Sequence, residues 1–189
     1  MAKTPSTMVP LGRAAPSFAL PDVRTGKTVS LSDFESRASL LVMFICRHCP
    51  FVVHVQGELS ALGRDYEGQS LGLVAISSND VTSHPDDAPA RLAEQAREQG
   101  FAFPYLFDES QAVARAYDAA CTPDFFLFRR GPDGFRLAYR GQLDDSRPGN
   151  GRPVTGQDLR RALDAVLAGK PVPEPQVPSI GCNIKYRSA

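Results

Sequence analysis

The feature that most narrows what this chain can fold into is Cys46-Arg47-His48-Cys49, where a buried-strand pattern gives way to a helical one. The run before it, Leu40-Leu41-Val42-Met43-Phe44-Ile45, is short and continuously apolar, as in a strand covered on both faces of a parallel or mixed sheet. After it, Pro50 suits a first helical turn, and Val52, Val55, Leu59, Leu62 and Tyr66 recur every three or four residues, which predicts one helix face packed on the sheet. A dithiol at such a junction points to disulfide exchange. The thiolate is the reactive form of cysteine, and the unpaired N–H groups and positive dipole end of a helix stabilise it. In Cys-x-x-Cys motifs these influences lower a thiol pKa from about 8.5 into roughly the 3.5–7.5 range. Cys46 is expected near the helix N-terminus, with Arg47 and His48 adding positive charge.

Structural zinc is the competing use of such a pair, but it needs four ligands, often from two pairs. Cys121 and Cys182 stand alone in the sequence, and His48 and His54 lie on the same local helix as the dithiol, a poor tetrahedral cage. No metal and no other cofactor is therefore expected. The 189 residues suffice for a single domain with a full core and no disulfide staples. Acids and bases balance at 21 each and are mixed along the chain, so no surface for nucleic acid or an anionic membrane is expected. Residues 1–10 lack the apolar centre of a signal peptide, and no segment is long and apolar enough to span a bilayer. The expectation is a cytoplasmic protein, and in that reducing compartment paired cysteines are more often catalytic or metal-binding than structural.

Strand and helix signals alternate along the rest of the chain. Residues 17–20 and 28–31, with Gly26 in the turn between them, predict an N-terminal hairpin. A strand follows at 71–76, then a Pro-containing loop with His84, and a helix ending at Gly100. Asp108 is positioned to cap a further helix with Gln111 as its capping-box partner. Residues 125–128 and 135–139 flank Gly131-Pro132-Asp133-Gly134 and predict an antiparallel pair. Thr155 is the expected cap of the last helix, with Leu159, Leu163 and Val166 on its inner face. This order describes an α/β sandwich around a mixed sheet. Beyond Gly169 a Pro-rich tail, residues 170–189, is expected to wrap back over the domain, because Ile180, Ile184 and Tyr186 are apolar groups in need of cover.

Several segments resemble the thioredoxin-like superfamily, in its redoxin (AhpC/TSA) branch of peroxiredoxins and thiol-disulfide proteins. They are Ala15-Pro16-Ser17-Phe18-Ala19-Leu20-Pro21-Asp22, the stretch from Gly26 to Phe34, the strand ending in Cys46-Arg47-His48-Cys49-Pro50, and Thr122-Pro123 before an aromatic strand. The tail Ser179-Ile180-Gly181-Cys182-Asn183-Ile184-Lys185 resembles the ending of a peroxiredoxin-like subgroup. The resemblance implies a thioredoxin-like fold: a central mixed sheet flanked by helices, with an N-terminal β-hairpin and an extended C-terminal tail. It implies that Pro123 is a cis-proline facing the dithiol and that Thr122 and Pro123 receive the substrate chain. Cys121 would then lie near that surface.

The resemblance divides over which cysteine attacks. Aligned as a thioredoxin, Cys46 is the exposed nucleophile and Cys49 resolves the mixed disulfide. Aligned as a peroxiredoxin, Cys49-Pro50 is the peroxidatic pair and Cys46 stands where a threonine helps bind peroxide. That threonine, an upstream proline that would fall at Val42, and an arginine near Thr122-Pro123 are all replaced here; Arg47 or Arg140 could substitute for the arginine. On the thioredoxin side, Leu40 replaces a buried aspartate and Val52 a glutamate, which leaves His48 as the nearest acid/base partner. The expectation is a thiol-disulfide oxidoreductase with Cys46 as nucleophile, Cys49 resolving, and Arg47 and His48 assisting. The alternatives are a thiol peroxidase using Cys49 and a metal-binding or redox-sensing module using the dithiol with His84. Cys121 and Cys182 are possible auxiliary thiols. The expected partners are protein disulfides and a reductant such as a thioredoxin or a low-molecular-weight thiol, with the protein itself a monomer or weak homodimer.

Overall fold

A computed structural model of the chain describes residues 3–187. A short strand β1 (Lys3–Pro5) precedes the hairpin β2 (Ala19–Pro21) and β3 (Thr28–Ser30). Strand β4 (Ser39–Phe44), helix α1 (Pro50–Asp65) and strand β5 (Leu71–Ser77) form a βαβ unit. Helix α2 (Pro89–Gln99) leads to β6 (Tyr105–Phe107), and the short α3 (Ala112–Tyr117) leads to β7 (Cys121–Thr122). The hairpin β8 (Asp124–Gly131) and β9 (Gly134–Arg140) follows, then α4 (Gln157–Leu167) and β10 (Ile180–Asn183).

The central sheet has the order β6-β5-β4-β8-β9, with β4, β5 and β6 parallel and β8 and β9 antiparallel to their neighbours. The apolar run predicted as a two-sided strand is β4, buried along its whole length. Its residues alternate between two cores. Leu41 and Met43 join Val52, Val55 and Leu59 of α1, Leu92 of α2 and Leu159 and Leu163 of α4. Leu40, Val42 and Phe44 join Tyr117 of α3, Phe126, Phe128 and the N-terminal Phe18 and Phe34.

Two expected caps come out differently. Gln111, not Asp108, is the N-cap of α3, although Asp108 still accepts from Ala114 N at 2.9 Å; the Gln111 side chain donates to the Ser78 and Lys185 carbonyls. Gly156, not Thr155, is the N-cap of α4; it sits at φ 64°, and Asp144 Oδ2 accepts from its N–H at 2.7 Å. The tail does wrap back, and it also forms a strand the sequence pattern did not show. β10 is the middle of a second sheet, β1-β10-β7.

Register brings the functional end together. Phe44 of β4 lies opposite Ile76 in the parallel β5 and opposite Asp124 in the antiparallel β8. Continuing past Phe44 along β4 reaches Cys46, continuing past Ile76 reaches Asn79, and going back from Asp124 reaches Pro123 and Thr122. All three segments meet beyond the C-terminal ends of the parallel strands, the usual place for a site in an open α/β sheet.

Candidate active site

Cys49 is the N-cap of α1 and Pro50 its first residue, so the helix begins directly at the second thiol. Cys46 lies before it in the loop that leaves β4. Both side chains are fully buried, and none of the four cysteines forms a disulfide. Thr122 holds both thiols: its hydroxyl is 3.3 Å from Cys46 Sγ, and its carbonyl accepts from Cys49 Sγ at 3.1 Å. The Thr122–Pro123 peptide is cis, as the resemblance implied.

A second group closes the other side. Asp87, fully buried, accepts from the backbone N–H of Arg47 at 2.8 Å and of His48 at 3.2 Å, and its Oδ2 is 2.5 Å from His48 Nδ1. Asn79 donates to the same Oδ2 at 2.8 Å and accepts from Lys185 N at 2.7 Å. One carboxylate therefore fixes the backbone and the imidazole between the two cysteines. Gln95 donates to the Cys46 carbonyl at 3.5 Å and accepts from the Tyr105 hydroxyl at 3.3 Å. The His84 ring stands 4.7 Å from that of His48, centroid to centroid.

The electrostatics separate the two thiols, and in the order opposite to expectation. Burial pushes Cys46 well above its ordinary 9.0, helped by its hydrogen bond to Cys49 and the nearby Asp87 charge. Cys49 is lowered to about 5: the Cys46 thiol donates to it, which outweighs burial, and the side chains of Thr122 and Cys182 add to the stabilisation. The Thr122 carbonyl can only accept, so its 3.1 Å contact favours the protonated Cys49 and opposes ionisation. Cys46, expected as the exposed nucleophile, is thus the deeper and more weakly acidic thiol. The hydrogen bond to Asp87 raises His48 above its ordinary 6.5, against a smaller effect of burial, so the imidazolium form is favoured. Burial alone would push Asp87 up, but the bonds from His48 and Asn79 hold it below its ordinary 3.8.

The remaining expected residues are placed as follows. Arg47 is spent on Glu94 at 2.9 Å and on the Arg91 carbonyl at 2.7 Å. Arg140 is fully buried and holds both oxygens of Asp124, together with the Phe125 and Thr7 carbonyls. Neither guanidinium supplies the donor that a peroxide would need beside Cys49. Cys121 is buried, with Sγ 3.7 Å from the Pro123 carbonyl, and burial drives its thiol far up. His54 bonds Ser146 Oγ at 2.7 Å and takes no part in the thiol cluster. Cys46, His48 and Asp87 lie close enough to offer three ligand atoms to one ion. Two of those atoms, His48 Nδ1 and Asp87 Oδ2, are already bonded to one another. A cleft of about 260 Å³ beside Phe34, Gly72 and Phe103 is at the opposite end of β4 and β5 from the thiols.

The sequence reading missed Asp87. Its one signal there is the acidic pair Asp86-Asp87 after Pro85, and nothing in that pair tells which acid turns inward.

A family model described as the AhpC/TSA family matches residues 11–134. The chain belongs to the AhpC/TSA family. Among solved structures, this AhpC/TSA chain is 54% identical to an uncharacterized conserved protein from Geobacillus kaustophilus, with a TM-score of 0.96 over 100% of this chain and 98% of that one. It is 50% identical to a hypothetical protein from Sinorhizobium meliloti 1021, with a TM-score of 0.95 over 98% of this chain and 100% of the other. A putative thioredoxin from Neisseria meningitidis, 25% identical, aligns over 82% of this chain and 89% of its own with a TM-score of 0.60. No curated protein matches. The fold is thioredoxin-like, with the central mixed sheet and flanking helices expected, and family and fold together support a thioredoxin-like redox role.

Proposed function

We propose that this protein is a thiol-disulfide oxidoreductase whose Cys46/Cys49 dithiol exchanges with disulfides of other proteins. The observation that carries the reading is the meeting of both thiols at Thr122, with 3.3 and 3.1 Å contacts on the residue that precedes cis-Pro123. The thiol lowered to about 5 is Cys49, through the Cys46 thiol that donates to it, so we take the Cys49 thiolate as the attacking group. It forms a mixed disulfide with one substrate sulfur and releases the other as a thiolate that takes a proton. Cys46 then loses its proton, attacks Cys49 Sγ and releases the second substrate thiol, leaving Cys46–Cys49 oxidised and the substrate reduced by two electrons. Consumption of the Cys49 charge removes one of the influences that hold the proton on Cys46. A cytosolic thioredoxin or a low-molecular-weight thiol is the reductant that returns the dithiol.

A thiol peroxidase is the second reading, favoured by the lowered Cys49 followed by Pro50. Against it stand Arg47 and Arg140, both engaged elsewhere, because a peroxidatic centre depends on donors preorganised on the peroxide oxygens. Stopped-flow oxidation of the reduced wild type, Cys46→Ser and Cys49→Ser, by oxidised glutathione and by hydrogen peroxide, separates the two. Exchange predicts that Cys49→Ser abolishes the glutathione reaction and that peroxide reacts no faster than with a free thiolate. Fast peroxide oxidation that survives in Cys46→Ser and vanishes in Cys49→Ser contradicts the exchange reading.

A further inference from the structure

The tail strand occupies the edge at which a substrate chain would meet Thr122. β10 runs antiparallel to β7 with Cys182 opposite Thr122 and Asn183 opposite Cys121. Gly181 passes so close that a Cβ there would lie 2.0 Å from the Thr122 carbonyl oxygen, a space only glycine fills. The strand is tied down on both sides of Cys182. Ser179 Oγ donates to the Pro123 carbonyl at 3.1 Å, Ile184 N to the Ala120 carbonyl at 3.1 Å, and Lys185 N to Asn79 at 2.7 Å. Opposite Thr122, whose carbonyl accepts from Cys49 Sγ, Cys182 stands near enough to Cys49 for each thiol to influence the other's ionisation. Cys182 and the dithiol belong to one buried cluster.

We propose that Cys182 is a third redox thiol, delivered by β10 to Cys49, where it competes with Cys46 to resolve the mixed disulfide. This rests on the exchange reading above. The step balances as an ordinary exchange. In the mixed disulfide of Cys49 with a substrate sulfur, Cys182 gives up its proton and attacks Cys49 Sγ. The Cys49–substrate bond breaks, the Cys49–Cys182 bond forms, and the departing substrate thiolate takes up a proton. The substrate disulfide is the oxidant, and the protein ends two electrons more oxidised whichever thiol resolves. A later attack by Cys46 on Cys49 moves the disulfide to Cys46–Cys49 without further change in oxidation state.

The chemistry of Cys182 suits a resolving role. Burial pushes its thiol up to about 12, followed by its bond to Cys49 and the Cys49 charge. The last two influences disappear once Cys49 is in a mixed disulfide, so Cys182 becomes easier to ionise when a resolving thiol is needed. Cys121 is the internal control: it sits one register position away, equally buried, with Sγ turned to the Pro123 carbonyl.

The test uses oxidised glutathione as the probe, with acid quench, alkylation and peptide mass spectrometry, on Cys46→Ser, Cys46→Ser/Cys182→Ser and Cys46→Ser/Cys121→Ser, each checked for native circular dichroism. The proposal expects Cys46→Ser and Cys46→Ser/Cys121→Ser to give an internal Cys49–Cys182 disulfide with little glutathione adduct, and Cys46→Ser/Cys182→Ser to accumulate the Cys49 adduct. A stable Cys49 adduct in folded Cys46→Ser, with Cys182 still alkylatable, overturns it. Should the variants fail to fold, rapid acid quench of wild type reacting with limiting oxidised glutathione decides: a Cys49–Cys182 peptide pair at early times supports the proposal, and its absence at every time while Cys46–Cys49 accumulates overturns it. A wild type that reacts and ends only as Cys46–Cys49 leaves the exchange reading standing. One that does not react at any thiol removes the exchange reading itself.

Discussion

Asp87 and Asp124 are both fully buried at the thiol end of the sheet, yet one faces a histidine and the other an arginine. Asp124 begins β8, directly after cis-Pro123, and its partner Arg140 carries a permanent charge, is fully buried and lies 3.8 Å over the Phe126 ring. Burial raises the Asp124 carboxyl above its ordinary 3.8 against the bonds from Arg140, so this pair is weakened only from the acid side, by protonation of Asp124. Asp87 holds His48, whose charge does change near neutral pH, and the same carboxylate fixes the backbone of the Cys46–Cys49 loop. A buried carboxylate with arginine fixes shape, whereas one with histidine couples shape to pH beside a reactive sulfur.

The comparison breaks most sharply at Asp124. Asp124→Asn leaves the Arg140 charge buried and uncompensated, a loss of about 3–5 kcal/mol. Urea unfolding at neutral pH should show it, while the pH midpoint of thiol labelling in the folded variant stays at the wild-type value. A coincident shift of that midpoint would mean that the two carboxylates are not separate devices. Asp87→Asn removes hydrogen bonds to a charged group and should cost about 2 kcal/mol, with a dependence on the His48 charge that Asp124→Asn lacks. His48 is raised when folded, so its contribution is fully present below pH 6.5 and lost as pH rises through the raised value. Asp87 is lowered when folded, so its contribution is present above pH 3.8 and lost as pH falls through the depressed value. The stability difference between wild type and Asp87→Asn should therefore be greatest between those limits and shrink in alkali. Thermal melts across that range would reveal a flat difference if His48 is not the partner that matters.

The smallest expected effect sharpens the histidine side. His84 is lowered, first by burial and then by the His48 charge, and like charges repel mutually. His84→Leu should raise the His48 midpoint in an NMR titration, by less than Asp87→Asn lowers it. A lowered His48 midpoint in His84→Leu would show that the neighbouring, tilted ring stabilises the imidazolium instead.

What the sequence made legible was local. The apolar run of β4, the three-and-four spacing of α1 and Pro50 after Cys49 are each set by neighbouring residues, so the strand, the helix and the dithiol between them could be read directly. Thr122-Pro123 was legible through its motif, and its position opposite the thiols follows from the register of β8 on β4. Asp87 was not legible, because its inward turn is decided by His48 and Asn79, which lie 39 and 8 residues away in the chain. The order of the two thiols was hidden for a related reason: the dipole argument ranks them by distance from the helix, whereas burial and the Asp87 charge, both tertiary, push Cys46 up. β10 escaped notice because four residues after a Pro-rich stretch carry no periodicity, and only the closeness of Gly181 to Thr122 shows why the strand sits there.

The central claim is that Cys49, not Cys46, carries the thiolate. Site-resolved alkylation of the reduced protein with iodoacetamide across about pH 4 to 9, read by peptide mass spectrometry, tests it most directly. The account predicts that Cys49 labels with a midpoint near the about 5 given by its surroundings, while Cys46 stays protected through the same range because it is held well above 9.0. Labelling of Cys46 first, with Cys49 silent until alkaline pH, would contradict it and return the nucleophile to the first cysteine.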